Sequence, residues 1–214
     1  MIADNLKKVN SRIVSVEHDQ QVQLIAVSKA RSINEIQQAV DAGQIQFGEN
    51  HLQESLDKID SLEGKNLIWH FIGPIQSNKT ASIAEKFDWV HSIGRYKIAK
   101  RLSDQRPPKL SQLNVLLQVN IDREKTKSGF FLEDIEEIIP EIKKLPNISL
   151  RGFMCIPNPD NSTESFTKMA ELISKYPDLD ALSMGMSADL ELAIEKGATF
   201  VRVGTDIFGE REYN

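Results

Sequence analysis

The chain has 214 residues, 40% of them hydrophobic, with 26 basic against 31 acidic side chains for a formal charge of -5. That is enough for one domain with a substantial core, and the charge balance offers no basic patch for a nucleic-acid surface. The single cysteine, Cys155, excludes an internal disulfide and is most simply a small buried apolar residue. No apolar run approaches the roughly 20 residues of a membrane span, and the opening Asp4, Lys7 and Lys8 do not suit a signal peptide. The expectation is a soluble cytoplasmic protein without membrane contact.

Ile2, Leu6, Val9 and Ile13 recur at helical steps and predict an opening amphipathic helix. Leu24-Ile25-Ala26-Val27-Ser28-Lys29 is short and aliphatic, as a strand buried on both faces should be. Ser32-Ile33-Asn34-Glu35 reads as a capping box, with Ile36, Ala39 and Val40 on one helical face and Gly43 as the stop. The alternation then repeats. A strand near residues 45–47 leads through Gly48-Glu49-Asn50 to a helix carrying Leu52, Leu56 and Ile59. A strand over 67–72 precedes Gly73-Pro74 and a helix over about 77–87. Trp89–Ile93 is a fourth strand, followed by a helix with Ile98, Ala99 and Leu102. Leu113–Val119 is a fifth, with a polar loop over 120–129 and a helix built on Ile135, Ile138, Ile139 and Ile142 that ends before Pro146. Residues 148–154 form a sixth strand, and Phe166, Met169, Ala170 and Ile173 mark the helix after it. Residues 179–182 and Phe200–Val203 supply the last two strands, with Leu190, Ala193 and Ile194 on the helix between.

Eight strand–helix units predict a single-domain (β/α)8 TIM barrel over 1–214 with an extra N-terminal helix, since each parallel crossover needs a returning helix. An open doubly wound sheet is the runner-up. The count of eight, and the lack of Gly-x-Gly-x-x-Gly after the first strand, favour the barrel.

In such barrels chemistry sits at the carboxyl ends of the strands. One step past each strand stand Lys29, Asn50, His70, Ser92, Asn120, Met154, Ser183-Met184-Gly185-Met186-Ser187 and Arg202-Val203-Gly204-Thr205. A lysine at the exit of a buried strand ordinarily packs its stem and sends the amine to water. The sharper reading is a Schiff-base lysine, activated by burial for attack on a carbonyl. Ser187 and Gly204-Thr205 lie in the loops after strands seven and eight, the usual phosphate position in this fold, although serine, threonine and glycine also cap helices with no ligand. Arg202 is either a carboxylate partner in the barrel mouth or a donor to a heteroaromatic ring nitrogen. An aldehyde-bearing, phosphorylated pyridine, pyridoxal phosphate, would use all three features, and no metal is called for.

Ala26-Val27-Ser28-Lys29, Phe47-Gly48-Glu49-Asn50, His70-Phe71-Ile72-Gly73 with Gln76-Ser77-Asn78-Lys79, Ser183-Met184-Gly185-Met186-Ser187 and Val201-Arg202-Val203-Gly204-Thr205-Asp206-Ile207-Phe208-Gly209 closely resemble the YggS/PROSC family. These are pyridoxal phosphate homeostasis proteins related to the fold-type III barrel of bacterial alanine racemase. The resemblance runs from about Leu24 to Gly209. It implies that Lys29 holds pyridoxal phosphate as an internal aldimine, that Ser187, Gly204 and Thr205 hold the phosphate, and that Arg202 faces the pyridine nitrogen. It also implies that Asn50, His70, Ser92 and Met154 line the cofactor pocket. The segment over 157–163 is compact compared with many members.

Two functions fit such a barrel. One is a carrier that buffers pyridoxal phosphate and delivers it, with apo-enzymes as recipients; the other is an amino-acid racemase or related enzyme. The chain ends five residues after Gly209, so the β-rich second domain of fold-type III racemases is expected to be missing. Tyr96 and Tyr176 lie on or beside helices and Tyr213 in the tail, none placed as an opposite-face base. An arginine at the pyridine nitrogen also disfavours ring protonation, but alanine racemase works with an arginine there, so the missing domain weighs more. The expectation is therefore a monomeric carrier without turnover. His70 and His91 keep a proton-shuttling enzyme as the alternative. A barrel binding some other phosphorylated metabolite, with Lys29 as a simple anion partner, is a third reading.

Overall fold

Each aliphatic run pairs in parallel with the next, and the last returns to the first. The computed structural model describes residues 1–210. In it β1 (Gln23–Val27), β2 (Gln46–Glu49), β3 (Ile68–Phe71), β4 (Trp89–Ile93), β5 (Leu113–Val119), β6 (Ile148–Cys155), β7 (Ala181–Ser183) and β8 (Phe200–Val203) form a closed barrel in chain order. Around it run α1 (Ile2–Ser15), α2 (Ile33–Asp41), α3 (Leu52–Ser61), α4 (Thr80–Lys86), α5 (Tyr96–Gln105), α6 (Ile135–Lys143), α7 (Ser162–Ser174), α8 (Leu190–Glu195) and the single-turn α9 (Thr205–Phe208). This is the (β/α)8 architecture the strand count demands. Among the described residues no helix is long and apolar enough to cross a membrane.

Strand alternation divides the side chains between two cores. Ile25, Leu116, Met154, Ala181 and Phe200 pack together as a small cluster inside the barrel. Leu24, Ala26, Phe47, Val115, Phe153, Val201 and Val203 belong to the larger layer shared with the helices. α1 buries Ile2, Leu6, Val9 and Ile13, and packs on α2, α8 and α9, bridging the seam where β8 pairs with β1. The capping box at α2 is formed as its sequence predicts: Glu35 N donates to Ser32 Oγ (3.2 Å) and Ser32 N to the Glu35 carboxylate (2.8 Å).

Several boundaries differ from those expected. β1 stops at Val27, because Ser28 to Arg31 turn away from the sheet, with Arg31 N donating to Ser28 O (3.1 Å) and Ala30 in the left-handed region at φ +57°. The helix expected over 77–87 opens as a 3-10 turn, Ser77–Lys79, before α4. There Thr80 Oγ1 donates to Ser77 O (2.9 Å), occupying an acceptor the helix would use. Between β5 and β6 the register slips by one residue where Leu150-Arg151-Gly152 faces Val115-Leu116. Gly152 sits there at φ +153°, where a Cβ would lie 1.8 Å from Ala181 O, so only glycine fits the bulge.

Candidate functional site

At the carboxyl end of the barrel a cavity of about 430 Å³ opens between the first three and last three strand exits. Lys29, Asn50, Ser187, Arg202, Gly204 and Thr205 all line it, so the structure brings six of the nine sequence-predicted residues to one place. Arg31, Ile72, Pro74, Ile156 and Met186 line it too. Lys29 itself is half-buried in the turn after β1.

The arginine wall is the most constrained part. Arg202, 4% exposed, donates from one terminal nitrogen to Ser183 Oγ (2.7 Å) and from the other to Cys155 O (3.0 Å). No carboxylate pairs with it among the described residues, contrary to the ordinary reading of a barrel-mouth arginine. Burial lowers its pKa, yet a guanidinium has so high a starting value that it stays charged. The neighbouring Cys155 thiol is pushed up to about 12 by burial and is therefore inert.

From Arg202 a hydrogen-bonded chain descends through the barrel. His91 Nδ1 lies 2.9 Å from Ser183 Oγ, His91 Nε2 3.0 Å from His70 Nδ1, and His70 Nε2 3.0 Å from Gln46 Oε1. Gln46 then donates to Gln23 Oε1 (2.6 Å). Arginine has no acceptor, so Ser183 accepts from it and keeps a hydroxyl proton available for His91 Nδ1. With that proton directed at His91 Nδ1, both histidines carry their own on Nε2 and every bond points the same way. Burial drives His70 down to about 3; His91 falls well below its ordinary value through burial, then through His70 and Arg202. They are neutral spacers below the cavity rather than lining residues.

His70 and Met154 therefore sit beneath the floor; the strand position they share with the cavity side chains is one layer too low. Ile156, two residues beyond Met154 and on the same face, reaches the cavity instead. Ser92 points the other way, donating to Gly73 O (2.5 Å) and lining an adjacent hollow with Arg95 and Ser128. Asn120 closes its own loop, donating to Glu124 O (2.8 Å) and Lys127 O (3.1 Å).

The two loops expected to form a phosphate cradle differ in detail. Ser187 does not open a helix: it lies in a turn before α8, where Met186 N donates to Asp189 Oδ1 (2.6 Å). Gly204 and Thr205 do stand at the start of α9, and the Thr205 and Asp206 N–H groups have no backbone acceptor among the described residues. Arg12 of α1 ties both loops together, donating to Ser187 O (2.9 Å), to both Glu191 oxygens (2.6 and 2.9 Å) and to Asp206 (2.6 Å). On the rim, Arg31 reaches the carbonyl oxygens of Phe208 (3.2 Å), Gly209 and Glu210 (3.3 Å). Tyr213 lies outside the described residues.

Comparison with known proteins places this arrangement. The family profile described as "Alanine racemase, N-terminal domain" matches residues 1–212. A pyridoxal phosphate homeostasis protein of Escherichia coli K12 is 45% identical, covering 100% of this chain and 98% of its own length. That of Pseudomonas aeruginosa is 49% identical, covering 99% and 96%. Among solved structures, PipY of Synechococcus elongatus without PLP superposes with a TM-score of 0.87 at 35% identity, covering 98% of this chain and all of its own; its PLP-bound form gives 0.84 at 34%. On full-length identity and shared barrel alike, this chain belongs to the alanine racemase N-terminal-domain family, among its members known as pyridoxal phosphate homeostasis proteins.

Proposed function

We propose that the protein binds pyridoxal 5'-phosphate in this cavity, holds it on Lys29, and serves in its homeostasis by buffering and delivery to apo-enzymes, without turnover. The observation that carries the reading is that an amine, a guanidinium and a turn with unengaged N–H groups all line one cavity. The residues present suit the ligand. Asn50 Oδ1 is buried at the wall with no hydrogen-bond partner among the described residues, an acceptor whose desolvation a ligand donor would offset. Pyridoxal phosphate supplies an aldehyde that a lysine amine can take up as a Schiff base, nitrogen bonding to the aldehyde carbon as its oxygen leaves in one water molecule. Among the described residues Lys29 is the one lysine in the wall, and Arg202 presents a fixed positive edge there. Gly204 and Thr205 offer N–H groups and a hydroxyl to a phosphate.

Two features support binding over catalysis. The titratable side chains lining the cavity, among the described residues, are Lys29, Arg31 and Arg202. Racemisation needs a second proton carrier on the opposite face, and two arginines are poor ones. The histidines that kept a shuttle in view are held neutral and aligned away from the cavity.

The test is to load the protein with pyridoxal phosphate, reduce with borohydride and map the modified peptide. The adduct is expected on Lys29 and absent from Lys29→Ala. The loaded protein, incubated with a panel of amino acids, should change the chirality of none and should activate an added apo-enzyme. An adduct on another amine, or none, would overturn the Lys29 assignment; racemised amino acid would overturn the carrier reading.

A further inference from the structure

We infer that buried Glu49 and Lys58, with half-buried Glu54, form a positioning device for the Lys29 amine, acting through the two residues that flank it; this rests on the reading of Lys29 given above. Glu49, at the end of β2, and Lys58, on the inner face of α3, are 0% and 3% exposed in the layer between barrel and helix. Lys58 Nζ has three protons and three acceptors: Ser28 O at 2.7 Å, Glu49 Oε1 at 2.8 Å, and Glu54 Oε1. Glu49 Oε1 also accepts from Ser28 Oγ at 2.6 Å, and Glu54 Oε1 from Ala30 N at 2.6 Å. Ser28 is thus gripped through its hydroxyl and its carbonyl, and Ala30 through its N–H.

Stability alone does not account for the cluster. Apolar side chains of similar volume would fill the layer at least as well, because buried ions lose hydration that their attraction only partly restores. What apolar residues could not do is bond to the backbone on both sides of Lys29. That turn needs holding, since Ala30 occupies a left-handed conformation unusual for a residue with a Cβ. Glu49 also precedes Asn50 in the chain, so the same carboxylate fixes the start of a second stretch of cavity wall. The cluster sits outside the barrel, touches neither ligand nor cavity, and fixes the root from which the amine swings.

The experiment separates attack by the amine from docking of the ring and phosphate. Glu54→Ala removes the acceptor for Ala30 N at a site 32% exposed, where the fold should tolerate it; Glu54→Gln keeps that acceptor. Two ligands are compared: pyridoxal phosphate, which has the aldehyde, and pyridoxine phosphate, which has an alcohol there and the same phosphate. Borohydride-trapped adduct on Lys29 is expected to form about tenfold less readily in Glu54→Ala, with Glu54→Gln restoring most of it. Pyridoxine phosphate affinity should stay within about twofold of the original. The paired variant Glu49→Gln with Lys58→Met, which leaves no lone buried charge, should lose adduct in the same selective way. Unchanged adduct formation in Glu54→Ala, or parallel losses for both ligands, would overturn the inference. A wild-type adduct on another residue would instead remove its foundation along with the Lys29 assignment.

Discussion

Acidification from about pH 7.5 to about pH 5 should destabilise the protein through its two buried histidines, and the size of the loss follows from their environment. Unfolded histidine titrates near pH 6.5, whereas His70 is driven down to about 3 by complete burial. Above pH 6.5 the ring is neutral in both states and contributes nothing. Between those values the unfolded chain takes up a proton that the folded one refuses, so stability falls by about 1.4 kcal/mol for each pH unit below 6.5. At pH 5 the loss from His70 alone is about 2 kcal/mol, a sizeable share of a total near 5–15. His91 shifts in the same direction and deepens the loss. Glu49 works the other way: burial raises its pKa, so the folded form gains a proton first and recovers part of the deficit as pH falls toward the ordinary carboxylate range. Urea unfolding at the two pH values, with unchanged slope, measures the difference. Ring-nitrogen NMR should show both histidines as Nε2–H tautomers persisting to pH 5. A pH-independent midpoint, with either ring titrating near 6.5, would refute the relay.

Two further outcomes follow from packing and charge. Gly152→Ala should cost more than about 3 kcal/mol, because at the β6 bulge its Cβ would meet Ala181 O of β7 at 1.8 Å; an unaltered unfolding midpoint would contradict that geometry. Arg12→Gln should lower stability by about 1 kcal/mol or less, as its partners Glu191 and Asp206 are partly exposed. It should weaken pyridoxal phosphate more than phosphate-free pyridoxal, since it releases the loops carrying Ser187 and Thr205. Equal weakening of both would refute that role.

The strands were legible because each is a short aliphatic run between polar turns, and Leu113–Val119 and Phe200–Val203 fall where the pattern puts them. Lys29, Asn50, Arg202, Gly204 and Thr205 were legible as cavity-lining residues for a related reason: in a parallel barrel, sequence just past a strand marks the rim at the carboxyl end. Depth was not legible. His70 pairs opposite Gly48 in β2 and Trp89 in β4, and only that stagger shows it lies a layer below the mouth. Met154 is displaced likewise, and Ile156, two residues on along the same face, lines the cavity in its place. Ser92 follows the inward His91 and so faces outward, a parity the composition of Trp89–Ile93 does not reveal. Arg31 was passed over because its role lies in carbonyl oxygens at the far end of the chain, which no local pattern announces.

The seam between β1 and β8 bears on how the protein is made. Lys29 emerges early in synthesis, Arg202, Gly204 and Thr205 emerge only with β8 and α9, and Arg31 then grasps the carbonyls from Phe208 to Glu210. A nascent chain can lay down most of its strands and still lack this cavity. The cavity therefore closes only once β8 and α9 are made, and a fragment released short of Arg202 would lack the wall opposite its lysine.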